Sequence, residues 1–159
     1  MKSLTHFFIL IFSLVIIACQ SKEVPANSDD SKSFNEALAL ELGADDYGMA
    51  QYVMAFLKKG PNRPTDPDEA AKLQAAHMEN IGKLAEEGKL ALAGPFLDDG
   101  EIRGIYIFNV TSIEEAKALT ETDPAIQAGS LVMELHPWYG SAGLKKVNEL
   151  HSQLAKEEI

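Results

Sequence analysis

The sequence predicts one small α+β domain, in which a four-stranded antiparallel sheet carries two helices on one face. Three observations support this prediction. After residue 46 the patterns follow the order strand, helix, strand, strand, helix, strand; an Asp98-Asp99-Gly100 turn makes the middle two strands a hairpin; and each helix begins with a capping residue. The βαββαβ order is that of the ferredoxin-like split motif. The chain of 159 residues leaves room for further segments at both ends.

The first strand is predicted over Tyr47 to Leu57, where both faces are apolar. One face carries Met49, Val53, Ala55 and Leu57, and the other carries Tyr52, Met54 and Phe56. Because a strand wetted on one side alternates between apolar and polar residues, this pattern predicts a sheet that is covered on both faces.

The first long helix is predicted to begin at Asp66 and to end near Glu87, before Gly88. Asp66 is a suitable N-cap, and Pro67 suits the first helical position. One side of this helix is defined by His77 and three apolar residues at helical spacing, Leu73, Ile81 and Leu84. That side should face the sheet, so the imidazole of His77 should point inward.

The second and third strands are predicted over Leu90 to Phe96 and Ile102 to Val110. With both helices on one face, the opposite face of the sheet should be bare. The large side chains expected on it are Tyr52, Met54, Phe56, Tyr106 and Phe108. Because such an apolar patch is unfavourable in water, we expect a second copy to cover it, which gives a homodimer.

The second helix is predicted to begin near Ser112. Asp123-Pro124 then opens a single turn that closes at Gly129, and Leu131 to His136 forms the fourth strand.

Residues 1–18 have the form of a bacterial export signal. Lys2 precedes an apolar run from Phe7 to Ala18 that is shorter than the roughly 20 residues a membrane-spanning helix needs. Ile16-Ile17-Ala18-Cys19 resembles the lipobox of bacterial lipoproteins, which implies cleavage before Cys19 and diacylglycerol on its sulfur. The alternative is a plain secretory signal with a chance cysteine. Cys19 is the only cysteine of the chain, which favours the lipid anchor.

This reading predicts a lipid-anchored protein of the cell envelope, with the domain in the periplasm or at the surface. Gln20 stands where an Asp favours the inner membrane of enteric bacteria, so the outer membrane is favoured. Residues 19–46 are predicted to form the anchor, an acidic tether and a short helix with a Ser33 and Glu36 capping box. Residues 140–159 are predicted to form an amphipathic C-terminal helix.

The formal net charge of −10 excludes nucleic acid as a partner, because an acidic surface repels phosphates. No phosphate-binding loop or nucleophile elbow is present. His77, His136 and His151 lack metal-ligand spacing, so we expect no metal and no cofactor.

His77 and Asp123 are the candidate catalytic residues. An inward imidazole with a carboxylate beside it can act as a general base, because the acid fixes the tautomer and stabilises the imidazolium. Each residue also has a structural interpretation: His77 as a buried core histidine and Asp123 as the cap of the turn at Pro124.

Four residues are candidates for contact with a substrate. Gly94 and Pro95, followed by Phe96, either bring backbone close to a ligand or mark an ordinary strand end. Glu134 alternates onto one face of the last strand together with His136, and this face either lines a pocket or lies at the dimer contact. Trp138 and Tyr139 are interpreted as packing for the C-terminal segment.

Several segments together resemble the YCII-related (YciI-like) family. They are Tyr52-Val53-Met54-Ala55-Phe56, the helix with His77, Leu92-Ala93-Gly94-Pro95-Phe96, Gly104-Ile105-Tyr106-Ile107-Phe108 and Asp123-Pro124-Ala125-Ile126. Their order and spacing agree with the family over residues 47–139. The resemblance implies a dimeric ferredoxin-like domain with a pocket that holds a His and Asp pair, here His77 and Asp123.

The leading hypothesis is therefore a membrane-anchored domain that binds a small organic molecule, with His77 and Asp123 in acid-base chemistry of isomerase or lyase type. The alternative is a non-catalytic binding or structural lipoprotein of the envelope. The family's substrates are mostly unassigned, so the resemblance points to a site rather than to a reaction.

Overall fold

The computed structural model describes residues 33–157. The predicted export signal of residues 1–18, the lipid anchor at Cys19 and the tether up to Lys32 lie outside the described residues. In the part that is described, no helix combines the length and the apolar character that crossing a bilayer requires.

The described chain forms one four-stranded sheet with helices. In chain order the elements are α1 (Glu36–Glu41), β1 (Met49–Lys59), α2 (Pro67–Glu86), β2 (Leu90–Pro95), β3 (Ile102–Phe108), α3 (Ile113–Thr120), α4 (Pro124–Gln127), β4 (Leu131–Ser141), a 3₁₀ helix (Ala142–Lys146) and α5 (Val147–Leu154). The strand order is β2-β3-β1-β4 and every neighbouring pair is antiparallel. The predicted α+β fold with ferredoxin-like topology is confirmed.

The main core lies between the sheet and the helices α2 and α3. Helix α2 begins as predicted, since the Asp66 side chain accepts hydrogen bonds from the N–H groups of Asp68 and Glu69 at 3.0 and 2.9 Å. Its sheet-facing side packs Leu84 against Val53 and Phe108. Because apolar burial is the main favourable contribution to folding, this cluster fixes the helix on the sheet.

The expected placement of Tyr106 and Phe108 on the bare face was wrong. The antiparallel register pairs Tyr106 with Ala55 and Phe108 with Val53, so these side chains share the helix-covered face. Tyr106 and Phe108 retain 2% and 0% of their exposure there. The sequence shows which residues of one strand share a face, but it does not show which residues of the neighbouring strand lie beside them. A shift of one residue in the pairing moves every side chain of that strand to the other face.

The opposite face is not bare, because segments at both ends of the domain pack on part of it. Leu42 at the end of α1 and Ala142 in the 3₁₀ helix join a second cluster around Tyr52. The Tyr52 hydroxyl donates to the carbonyl of Ser141 at 2.9 Å, and its ring centroid lies 5.8 Å from that of Trp138. Trp138, a residue of β4, therefore packs against the cluster that contains Tyr52 and Ala142.

Several boundaries differ from the predicted ones. Strand β1 begins at Met49 rather than Tyr47, and β3 ends at Phe108 rather than Val110. The N-cap of α1 is Asn35 and not Ser33, since the Asn35 side chain accepts from the N–H of Leu38 at 3.0 Å. Strand β4 does not end at His136 but pairs with β1 as far as Ser141. The strand continues through Pro137 because β4 is an edge strand, where a residue without an N–H is tolerated. The predicted C-terminal helix is consequently reduced to the 3₁₀ helix and α5.

The loop after β1 is fastened to the turn that follows α4. Gly60 N–H donates to the carbonyl of Ser130 at 2.9 Å, and Asn62 N–H donates to that of Gly129 at 3.0 Å. A Cβ atom at Gly60 would lie 2.1 Å from the Gly129 carbonyl oxygen, so only glycine permits this approach. The contact supports the segment that follows Asp123.

Candidate functional site

His77 lies in the middle of α2, on the side that faces the sheet. Its exposure is 7%, so the ring points inward as the helical spacing predicts. The neighbouring apolar positions on this side, Ile81 and Leu84, pack into the main core.

Asp123 is completely buried and serves as the N-cap of α4. Its exposure is 0%, and its Oδ1 accepts a hydrogen bond from the N–H of Ala125 at 2.8 Å. Its second oxygen, Oδ2, lies 2.8 Å from His77 Nδ1. The structural interpretation of Asp123 as a cap and its pairing with His77 therefore hold together, one with each carboxylate oxygen.

Tyr106 extends this pair to a chain of three side chains. Its hydroxyl lies 3.4 Å from His77 Nε2, a long hydrogen bond, and the two ring planes are within 17° of parallel. Burial, and secondly the negative charge of Asp123, raise the pKa of the Tyr106 phenol, which keeps it protonated. In the neutral ring with its proton on Nδ1, the Nδ1–H group donates to Asp123 and the phenol O–H donates to Nε2.

Tyr106 was missed as a site residue because its strand was assigned to the wrong face. The available signal was its partner across the sheet: Ala55 is small and leaves room for a ring on the helix side. That signal becomes usable only once the register of β1 and β3 is known.

Two hollows lie near the pair, but neither has His77 or Asp123 in its walls. A small one of about 80 Å³ lies between α2, α4 and the loop at Arg63. Its walls include Leu73, one helical turn before His77, and Ala125, whose N–H binds Asp123. A shallower groove of about 520 Å³ lies between α3, α4 and β4. Neither of these two hollows therefore corresponds to the pocket around the pair that the family resemblance implied.

The structure does not bring the four predicted substrate-contact residues to this pair. Glu134 lies opposite Phe56, on the face of the sheet away from α2. There it bonds to Lys58 and, at 2.8 Å, to His136; Lys58 and then His136 lower the pKa of its carboxyl. The alternation of β4 puts Leu135, not Glu134, on the side of the pair.

Gly94, Pro95 and Phe96 lie at the end of β2 and just beyond it. Phe96 is 45% exposed, and a Cβ atom at Gly94 would meet open space. Among the hydrogen bonds and ring contacts found within residues 33–157, none joins these three residues to His77 or Asp123. In the same range no three metal-ligating side chains come together.

Comparison with known proteins places most of the domain in one family. The profile of the YCII-related domain matches residues 52–139, more than half of the chain. "Uncharacterized protein YjpA" of Bacillus subtilis (strain 168) is 33% identical over 64 residues, which are 40% of this chain and 73% of that protein.

The chain is also similar to a solved structure, and the match covers about half of its length. It is 5-chloro-2-hydroxyhydroquinone dehydrochlorinase from Burkholderia phenoliruptrix AC1100, in complex with 2,5-dihydroxybenzoquinone. It is 22% identical, has a TM-score of 0.42, and the match covers 54% of this chain and 92% of that one.

The buried phenol of Tyr106 should make the protein sensitive to alkali. Its pKa is raised in the folded state, whereas the pKa of an unfolded tyrosine is about 10. Above that pH only the unfolded state loses the proton, so stability that is present below it falls as pH rises. Between pH 10 and 11, Tyr106→Phe should reduce the loss of unfolding free energy by up to about 1.4 kcal/mol per pH unit.

Urea unfolding at a series of pH values measures this slope. The control is Tyr47→Phe, which removes a tyrosine that is 86% exposed and should follow the wild type. Equal slopes in Tyr106→Phe and the wild type would contradict the assignment of a buried, protonated phenol.

Proposed function

The chain belongs to the family of proteins that contain a YCII-related domain, and from this membership together with the geometry of His77 and Asp123 we propose that the domain binds a small organic molecule and moves a proton to or from it. The observation that supports the proposal most directly is the 2.8 Å contact between His77 Nδ1 and a carboxylate with no exposure. The reaction would be of isomerase or lyase type, beginning with removal of a proton.

Burial of such a pair favours a chemical use over a purely structural one. Removing an ionisable pair from water costs free energy that its mutual attraction offsets only in part, so apolar side chains would serve the core as well. The carboxylate of Asp123 holds the His77 ring with Nε2 as the proton acceptor.

Tyr106 supplies a proton donor at the working end of the imidazole. Because its hydroxyl occupies the hydrogen-bonding direction of Nε2, a ligand reaches the base through this hydroxyl or by displacing it. An isomerisation removes one proton and returns another, which a neighbouring base and acid can share. The small hollow beside Leu73 and Ala125 is a space through which a ligand would enter.

A second candidate is a binding or scaffold function without catalysis. The observation that favours it is the absence of His77 and Asp123 from the walls of the two hollows near them in residues 33–157. The pair would then only tie α2 to α4, and replacing His77 would lower the melting temperature without removing any activity.

Replacing His77 separates these two functions. In D₂O, a base of this kind should exchange the α-hydrogens of small ketones and oxo acids, for which acetone, cyclohexanone and 2-oxobutanoate are suitable probes. His77→Gln, which keeps a hydrogen-bonding group near Asp123, should lower this exchange at least about 100-fold, and His77→Ala should do the same. Proton NMR of the probes measures the rate.

The matched control is His136→Gln, which removes a histidine on the opposite face of the sheet and should exchange the probes as the wild type does. Exchange at the same rate in His77→Gln and the wild type, or no exchange above the rate without protein, would refute the catalytic proposal and favour the scaffold.

We also propose that the protein is a lipoprotein, anchored to a bacterial membrane through lipid on Cys19, with the outer membrane favoured and the domain in the periplasm or at the surface. The support is the lipobox-like sequence before the only cysteine of the chain. Several acyl chains on one residue give stable membrane binding where a single chain is marginal.

Cys19→Ala tests the anchor. The full chain expressed in a bacterial host should incorporate labelled palmitate and sediment with membranes, whereas the variant should do neither. Ser21→Ala is the control, because it alters the adjacent tether and leaves the cysteine in place. Membrane sedimentation of Cys19→Ala equal to that of the wild type would contradict the proposal.

We further propose a homodimer through the part of the sheet that α1 and the 3₁₀ helix leave open. This part carries Val132, which is 46% exposed, beside the oppositely charged Lys58 and Glu134. A two-fold axis would set Lys58 of one copy against Glu134 of the other, so the surface is complementary to itself.

Val132→Lys should dissociate this dimer, because it adds a second positive charge beside Lys58. Sedimentation of the full chain in detergent should then give half the wild-type protein mass. Leu97→Lys, on the hairpin loop and 99% exposed, is the control and should leave the mass unchanged. A wild-type chain that sediments as a monomer would overturn the proposal.

A further inference from the structure

We propose that Asn80 is a positioning residue for the Asp123 carboxylate: with Thr122 it forms a second tie between α2 and the junction of α3 and α4, which holds Asp123 at hydrogen-bonding distance from His77. The inference rests on the proposed function of the His77 and Asp123 pair, to which it adds a further residue.

Asn80 is a buried polar residue on the same side of α2 as His77, one turn further along. Its exposure is 9%, and its side-chain amide lies 3.0 Å from Thr122 Oγ1. Thr122 immediately precedes Asp123. Two successive turns of α2 thus contact two successive residues of the junction, Asn80 with Thr122 and His77 with Asp123.

The proton of the Thr122 hydroxyl determines the direction of the Asn80 contact. Thr122 Oγ1 lies 2.7 Å from the carbonyl oxygen of Leu119 as well as 3.0 Å from the Asn80 amide. One hydroxyl proton serves one acceptor well, and the shorter contact to Leu119 is the better bond. Thr122 can then accept from Asn80, provided that the amide is turned with Nδ2 toward the hydroxyl.

Turning the Asn80 amide by half a rotation also explains the one buried side-chain polar atom that lacks a hydrogen-bond partner among residues 33–157. With Oδ1 toward Thr122, the buried Nδ2 of Asn80 has no acceptor. With Nδ2 toward Thr122, this donor is satisfied and a carbonyl oxygen occupies the unpaired position, which is less costly than an unpaired N–H. In both orientations the amide remains tied to the residue before Asp123.

These contacts are the only side-chain hydrogen bonds within residues 33–157 that join α2 to residues 121–128. A side-chain bond that spans the junction without contacting α2 runs from Gln127 Nε2 to the Glu121 carbonyl at 2.8 Å, on the exposed side. Without Asn80, the His77 bond would be the one side-chain hydrogen bond left between α2 and this junction among residues 33–157. Because misplacement by about 1 Å can cost a catalytic site about 100-fold in rate, this second tie has a functional consequence.

The experiment follows the proton between His77 and Asp123 in the full chain in detergent micelles with ¹⁵N-labelled histidine rings. A buried Nδ1–H group bonded to a carboxylate exchanges slowly with water and resonates downfield, and its loss in His77→Gln assigns it. Asn80→Ala and Thr122→Val should each accelerate its exchange at least about 10-fold at a temperature where the fold is intact. Thr122→Ser, which retains the hydroxyl, should restore the wild-type signal.

Gln127→Ala is the matched control, because it loosens the same junction without touching α2, and it should keep the signal. Thr122 is exposed, so Thr122→Val remains informative even where Asn80→Ala does not fold. A wild-type exchange rate in Thr122→Val, or equal acceleration in Gln127→Ala, would overturn the positioning role. This readout needs no activity, so failure of proton exchange with the ketone probes would reject the proposed function and leave this inference to be judged separately.

Discussion

The hydrogen bond between His77 and Asp123 is the contact on which the arrangement of the helical layer depends. It joins the middle of α2 to the N-cap residue of α4, and the two residues are 46 positions apart in the chain. Since Asp123 also caps α4, any movement of the short helix moves the carboxylate, and any movement of α2 moves the ring. A displacement of either helix would therefore change the distance between the His77 ring and the Asp123 carboxylate.

The elements and their order could be predicted from the sequence because local signals define them. Asp66, Ser112 and Asp123 each cap a helix where the sequence places a cap. The inward direction of His77 follows from helical spacing alone. Such features depend on neighbours within four residues, for which propensity and periodicity are informative.

Features that depend on partners distant in sequence could not be predicted in the same way. The face occupied by Tyr106 depends on pairing with Ala55, which is 51 residues away, and this register decides whether the phenol meets His77. The extent of β4 depends on its place at the edge of the sheet, which makes Pro137 acceptable. Glu134 was predicted to contact a substrate, but the alternation of β4 places it on the opposite face of the sheet from the pair.

The cover that Leu42 and Ala142 place over Tyr52 restricts how two copies of the domain could meet. Among residues 33–157, the part of this face near Val132 remains accessible. Two sheets in face-to-face contact would have to be staggered along their strands rather than stacked in full overlap, because complete overlap would force one copy's covering segments into the other's. The lengths of the terminal segments would thus set the offset of such an assembly.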